Sequence, residues 1–259
     1  MVNEFQHTWA IVLGGSSGLG LASAKKLAES GMNICIIHRN TRVELPEIER
    51  DFEIIKANNI SFLSFNVDAL QLEKQEEIIN KIKIEIGSNK VKCLLHSIAK
   101  GSLKSMSSEN SLTNDDFLVT TNAMAISLYD WTKAIFNANL FHKDARIISF
   151  TSEGSHRTIP NYGAVSAAKA SLEAISRQIA YEFAAFGIKS NCIQAGVTDT
   201  KSLQMIPNSA KIKEMAIRRN PFKRLTTPED VANAVYLLCK EEAKWINGTI
   251  IKVDGGESL

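Results

Sequence analysis

Short, nearly continuous apolar runs recur along this chain with helix-length segments between them. That alternation constrains the fold more than any other feature. The runs are "WAIVLGG" (9–15), "NICIIH" (33–38), "ISFLSF" (60–65), "VKCLLHS" (91–97), "ARIISF" (145–150), "KSNCIQ" (189–194) and "TIIKV" (249–253). A strand that is apolar on both sides must be covered on both sides, and an intervening helix lets successive strands run parallel. Helical periodicity covers 18–30, 69–86, 114–139, 163–186 and 228–240, with Gly31 stopping the first. The pattern predicts an α/β fold, a doubly wound parallel sheet of about seven strands flanked by helices. No repeat, linker or low-complexity tract divides residues 1–259, so one domain is expected.

Composition excludes some classes of function. Apolar residues make up 44%, enough for a large core, and the net charge is only +2. That balance argues against a nucleic-acid or membrane-surface protein. The opening "MVNEFQHTWA" has neither the basic nor the apolar region of a signal peptide, and no run is long and apolar enough to cross a bilayer. A cytoplasmic protein is expected. Cys35, Cys93, Cys192 and Cys239 are far apart, as buried free thiols would be. His38, His96 and His156 have no metal-ligand spacing, so no metal is expected; His96 is assigned to the cofactor wall.

The first strand leads into "LGGSSGLG" (13–20), where Gly14, Gly18 and Gly20 form GxxxGxG around Ser16, Ser17 and Leu19. Glycines there permit a tight turn and close backbone approach, and the following helix N-terminus attracts a pyrophosphate. The same glycines can serve a purely structural turn; their place between strand one and helix one favours the dinucleotide. The second strand ends "IIHRN" with no acid for a ribose 2′-hydroxyl. Arg39 can instead pair with a 2′-phosphate, which favours NADPH over NADH; a solvated arginine is the alternative. Asn66 and the Val67 backbone, ending the third strand, are placed at the adenine edge.

These residues, with those that follow, resemble the short-chain dehydrogenase/reductase superfamily over nearly the whole chain. The resemblance implies a Rossmann-like fold and a homotetramer. Asn122 in "TTNAMA" matches the family's helix asparagine, which supports a proton-relay water, and Ser152 in "FTSEG" matches its active-site serine. "QAGVTDT" (194–200) is similar to the family's PGxxxT cofactor loop and so implicates Gly196, Thr198 and Thr200. Leu13, Ala195 and "HSIA" (96–99) depart from the usual threonine, proline and NNAG. Ser97, Ile98 and Ala99 of "HSIA" are still expected at the cofactor. "HSIA" and "IPNY…AKASLEA" (159–174) resemble the enoyl-acyl-carrier-protein reductases, whose tyrosine and lysine are separated by six residues. "NGTIIKVDGG" (247–256) resembles an NADPH-dependent branch of them.

The spacing between Tyr162 and Lys169 has a chemical reading. Each helical residue turns about 100° and rises about 1.5 Å, so six intervening residues leave the pair about 20° apart and about 10.5 Å along the axis. Pro160 and Asn161 make the helix start close to Tyr162. In a ketone reduction the acid protonates the oxygen on the carbon that takes the hydride. In an enoyl thioester the hydride goes to Cβ, and charge builds on a carbonyl oxygen further away. A donor set further out fits that enolate oxygen. Val165, where the nearer tyrosine would stand, cannot donate a proton. Tyr162 is therefore assigned to the thioester oxygen, Lys169 to the nicotinamide ribose and to favourable charge near Tyr162, and Ser152 to a supporting hydrogen bond or a structural one.

Residues 198–224 form a candidate lid over an acyl chain, with Met205, Ile206, Pro207, Met215 and Ile217 as its apolar side; packing on the body is the alternative. Lys211, Lys213, Arg218, Arg219, Lys223 and Arg224 make the segment basic, either a solvated face or a dock for an acidic carrier protein. The leading reading is NADPH-dependent reduction of an enoyl thioester of acyl-carrier protein or CoA in fatty-acid synthesis. The second is a carbonyl reductase such as a 3-oxoacyl-acyl-carrier-protein reductase. The third is a dinucleotide-binding regulator without catalysis.

Overall fold

The structure is a computed structural model and describes residues 4–206 and 208–259. In chain order it contains β1 (Thr8–Leu13), α1 (Gly18–Glu29), β2 (Asn33–His38), α2 (Leu45–Lys56), β3 (Phe62–Asn66), α3 (Leu72–Ile86) and β4 (Lys90–His96). Then come α4 (Asn114–Thr121), a π turn (Asn122–Ile126), α5 (Ser127–Asn137), β5 (Phe141–Thr151), α6 (Gly163–Glu182) and β6 (Ile188–Ala195). The chain closes with α7 (Lys201–Gln204), α8 (Ser209–Arg219), α9 (Pro228–Cys239) and β7 (Ile250–Val253). All neighbouring strands pair in parallel, in the order β3-β2-β1-β4-β5-β6-β7.

Alternate residues of each strand feed two cores. On β1, Ala10 and Val12 pack with Leu27 of α1, Phe52 of α2 and Val235 of α9. Trp9, Ile11 and Leu13 pack with Ile82 of α3, Trp131 of α5 and Leu172 of α6 on the other face. The expected doubly wound sheet is therefore present. Two expectations shift. The periodic stretch 114–139 is one helix by pattern, but it is broken by the π turn, where the Ser127 N–H reaches the Asn122 carbonyl. The Ser127 hydroxyl bonds the Ala123 carbonyl and His96, which holds this wider turn in place. Helix α6 ends at Glu182, earlier than 186, with a short 3-10 turn beyond it.

The strand register lines up the ends that matter. Leu13 pairs with both Ile37 and His96, His96 with Ser149, Thr151 with Gln194, and Ala195 with Val253. One row of carboxyl ends results. β1 lies between β2 and β4, so the crossovers leave it in opposite directions and open a crevice there. The four cysteines are buried and free. Among the described residues no helix is long and apolar enough to cross a membrane, and no cluster of His, Cys, Asp or Glu could hold a metal.

Candidate active site

A cavity of about 810 Å³ occupies that crevice and runs along the carboxyl ends of the strands. Its wall includes Gly14, Ser16, Ser17, Gly18 and Leu19 from the first turn, and Ser97, Ile98 and Ala99 after β4. Ser152, Tyr162 and Lys169 follow, then Gly196, Thr198 and Thr200 after β6.

The glycine turn is shaped by backbone contact. Gly14 has φ +81°, in the left-handed region, and a Cβ there would lie 2.6 Å from the Ser97 carbonyl oxygen. A Cβ on Gly20 would lie 2.4 Å from the Gly14 carbonyl oxygen. Gly20 is thus off the cavity wall and shapes the turn from behind. The N-terminus of α1 opens on the cavity at Gly18, offering the unpaired N–H groups that favour a pyrophosphate. The residues fit a dinucleotide: a narrow backbone cradle, a helix N-terminus, and polar side chains at Ser152, Tyr162, Lys169, Thr198 and Thr200 along the cavity.

At the end of the cavity beside β2 and β3, Arg39 and Val67 line it. Arg39 is 65% exposed in its side chain and pairs with Asp68 at 2.7 Å. Asn66 does not line it. Its amide accepts from the Asn40 N–H and donates to the Asn40 carbonyl, bracing the loop after β2. The adenine-edge expectation puts Asn66 on this wall; in the structure it stands off the wall, with its carbonyl oxygen and one N–H engaged by Asn40.

Tyr162 immediately precedes α6 as its N-cap residue, with φ −109° and ψ 7°, so the helical angles read from the spacing do not describe it. It still shares one cavity with Lys169. Its ring packs on Gly154, where a Cβ would meet it at 2.5 Å, and against Val165 and Met124. Burial pushes the phenol above its ordinary pKa while the Ser152 hydroxyl pulls it back, so it is a neutral donor at pH 7. The Ser152 hydroxyl also accepts from the Gly154 N–H at 2.9 Å. Lys169 is only 8% exposed and donates to the Phe150 carbonyl at 2.7 Å. Burial lowers it from 10.5 to about 8, leaving it mostly cationic at neutral pH.

Two further expectations are corrected. Asn122 is exposed on the π turn and is not part of the cavity wall. His96 is buried behind the wall, with Nε2 at 2.8 Å from the Ser127 hydroxyl and Nδ1 unpartnered. Burial first, then the Lys169 charge, lower it to about 3, so it is neutral.

The far wall is more apolar and includes residues the sequence did not single out. Leu103, Met124, Ile159, Leu203 and Ile212 line it with Met205 and Ile206. The serine-rich stretch 100–114 that follows β4 brings Leu103 in because Asp116, in the capping box of α4, accepts from Ser102 and Lys104. Met215 and Ile217 are exposed and off the wall; Pro207 lies outside the described residues. The basic segment is partly self-neutralised. Arg219 forms two hydrogen bonds to the Glu153 carboxylate and one to the Glu257 carbonyl. Lys213 pairs with Asp199, and Arg224 with Asp230. Glu257 also lines the cavity and accepts from the Val197 N–H at 2.9 Å. No local signal marks these contacts, since Arg219 and Glu153 are 66 residues apart.

Comparison with known proteins bears on this geometry. The sequence profile described as "Enoyl-(Acyl carrier protein) reductase" matches residues 14–258. An enoyl-[acyl-carrier-protein] reductase [NADH] of Enterococcus faecalis is 28% identical over 98% of each chain. A 3-oxoacyl-[acyl-carrier-protein] reductase of Chlamydia muridarum is 27% identical over 95% of this chain and 96% of its own. The solved enoyl-[acyl-carrier-protein] reductase (NADH) of Aquifex aeolicus superposes with a TM-score of 0.86 at 22% identity, covering 98% of each chain. A short-chain dehydrogenase of Burkholderia cenocepacia, solved with NADP, gives 0.85 at 24% identity over 99% of this chain and 100% of its own.

Proposed function

As a member of the short-chain dehydrogenase/reductase superfamily, to whose enoyl-(acyl carrier protein) reductase family it belongs, the protein is an oxidoreductase that uses a nicotinamide dinucleotide, and we propose that it reduces the trans-2 double bond of an enoyl thioester with NADPH. One observation carries this reading. Tyr162 and Lys169 share a cavity in which the nearer position is the buried, apolar Val165.

The glycine turn, Thr198, Thr200 and Lys169 would hold NADPH, which would supply a hydride to Cβ of the enoyl group; the resulting enolate is completed by a proton from solvent at Cα. Tyr162, neutral at working pH, donates a hydrogen bond to the thioester oxygen, where negative charge accumulates. Lys169 holds the nicotinamide ribose and places a positive charge near that oxygen. Ser152 orients the phenol. Leu103, Met124, Leu203 and Ile206 exclude water, which strengthens the Tyr162 hydrogen bond. The segment 198–224 is the substrate lid, and the acyl group is carried on acyl-carrier protein or CoA. With Arg219 held by Glu153, Lys213 by Asp199 and Arg224 by Asp230, the cations of this segment left for an acidic carrier, among the described residues, are Lys211, Arg218 and Lys223. The work belongs to cytoplasmic fatty-acid synthesis. Exposed Leu118, Val119, Ile126 and Tyr129, along α4, the π turn and α5, support assembly, which we take to be a homotetramer.

The cofactor reading rests on Arg39, although the Enterococcus relative is named for NADH. Arg39→Ala is expected to raise KM for NADPH about tenfold and to leave KM for NADH within twofold, because a charge-assisted contact to the 2′-phosphate is lost. Equal effects on both cofactors would remove that assignment. Gly14→Ala is expected to weaken NADPH binding at least tenfold, seen as a displaced fluorescence titration. The added methyl meets the Ser97 carbonyl, and the left-handed φ is strained for alanine.

The reaction itself is tested by following NADPH absorbance with a trans-2-enoyl thioester and a 3-oxoacyl thioester in parallel. Turnover of the enoyl substrate alone supports C=C reduction. Turnover of the oxo substrate alone makes the protein a carbonyl reductase and overturns the proposal. Oxidation with neither substrate, including in a single turnover, points to a dinucleotide-binding regulator.

A further inference from the structure

Lys169 is a buried cation, and its surroundings show what balances it. On β4, His96 is neutral. On β6, burial raises the Cys192 thiol, so it is neutral too. Tyr162, just before α6, is an undissociated phenol. β5 presents the Phe150 carbonyl and the Thr151 hydroxyl. That leaves Glu173, one helical turn beyond Lys169 on α6, as the carboxylate facing this group. Glu173 is half-buried and is not part of the cavity wall.

Its carboxylate has a defined seat. The Thr151 hydroxyl donates to it, while the neighbouring Phe150 carbonyl receives the Lys169 ammonium. Consecutive residues at the end of β5 thus grip residues four apart on α6. Thr151 itself lines the cavity. We infer that Glu173 is a positioning residue: it is the counter-charge behind the Lys169 ammonium and, through Thr151, fixes the strand end on which that ammonium rests. Its carboxylate favours the charged lysine, opposing the burial that disfavours it. The inference rests on the role proposed above for Lys169.

The test is the pH dependence of NADPH binding and of kcat/KM for the enoyl thioester, from pH 6 to 10, in the full-length protein. Glu173→Gln keeps an acceptor for Thr151 and removes the charge. The alkaline limb of both profiles is expected to move down by about one pH unit, with little change at pH 6.5. Glu173→Asp keeps the charge, so its limb should stay with that of the parent even if turnover falls a few-fold through poorer reach. In a Lys169→Arg background, where the guanidinium stays protonated throughout, Glu173→Gln should shift nothing. Superimposed limbs for the parent and Glu173→Gln would overturn the inference, as would an equal shift in Glu173→Asp. If Lys169→Met leaves NADPH binding and turnover unchanged, it is the proposed role of Lys169 that fails instead.

Discussion

Tyr162→Phe is expected to lower kcat by about 10²–10³-fold, with NADPH affinity and fold intact. Removing one preorganised donor to a developing oxyanion typically costs about 3–4 kcal/mol. The ring packs on Gly154 and Val165 through its apolar body, so phenylalanine fills the same space. Only the O–H is lost, and it acts on charge that exists in the transition state and hardly in the bound substrate. KM for the enoyl thioester should therefore change little while kcat collapses. Stopped-flow oxidation of bound NADPH separates the two. If the variant keeps full single-turnover rate, Tyr162 is not the donor, and the physical reading of its spacing from Lys169 is wrong.

Lys169→Met has effects of opposite sign on activity and stability. We expect kcat/KM to fall about 10²-fold, because the contact to the ribose and the positive charge near the substrate oxygen both disappear. Stability should rise. Burial lowers Lys169 from 10.5 to about 8, so the unfolded chain holds this proton more tightly than the folded one. Below about pH 8 the charged ammonium then counts against the folded state by about 3 kcal/mol, at about 1.4 kcal/mol per pH unit. Between pH 8 and 10.5 that cost fades as the folded protein releases the proton first. Methionine has similar length without the charge. It leaves the Phe150 carbonyl without its donor, which returns about 1 kcal/mol. The net gain of about 2 kcal/mol corresponds to a Tm about 4–8 °C higher at pH 7. The advantage should shrink at pH 10. A lower Tm at pH 7 would show that Lys169 is compensated in the fold better than its burial implies.

Much of the cavity can be located from short motifs. The glycine turn, Tyr162, Lys169, Ser152 and the loop from Gly196 to Thr200 all reach its wall. Apart from Lys169, which lies inside α6, each sits where a strand ends or a helix begins, and those positions follow from local periodicity. The misplacements share one cause. Asn66 has the right position on β3, but its amide is claimed by Asn40, 26 residues away. Asn122 lies on a helix by pattern, but it falls on a π turn braced by Ser127 and His96 and stands off the cavity wall. Arg219 reads as part of a free basic face, yet Glu153 holds it.

From the sequence alone come the parallel sheet, the crevice at its carboxyl edge, the dinucleotide turn and the tyrosine–lysine pair. These depend on residues a few positions apart, whose steric and hydrogen-bonding preferences act before the chain closes on itself. Tertiary structure alone decided that Glu153 holds Arg219, that Glu257 enters the cavity wall once β7 pairs with β6, and that the Thr151 hydroxyl on β5 donates to Glu173 on α6. Those outcomes depend on which distant segments pack together and on which polar atoms are left to pair once water has been excluded.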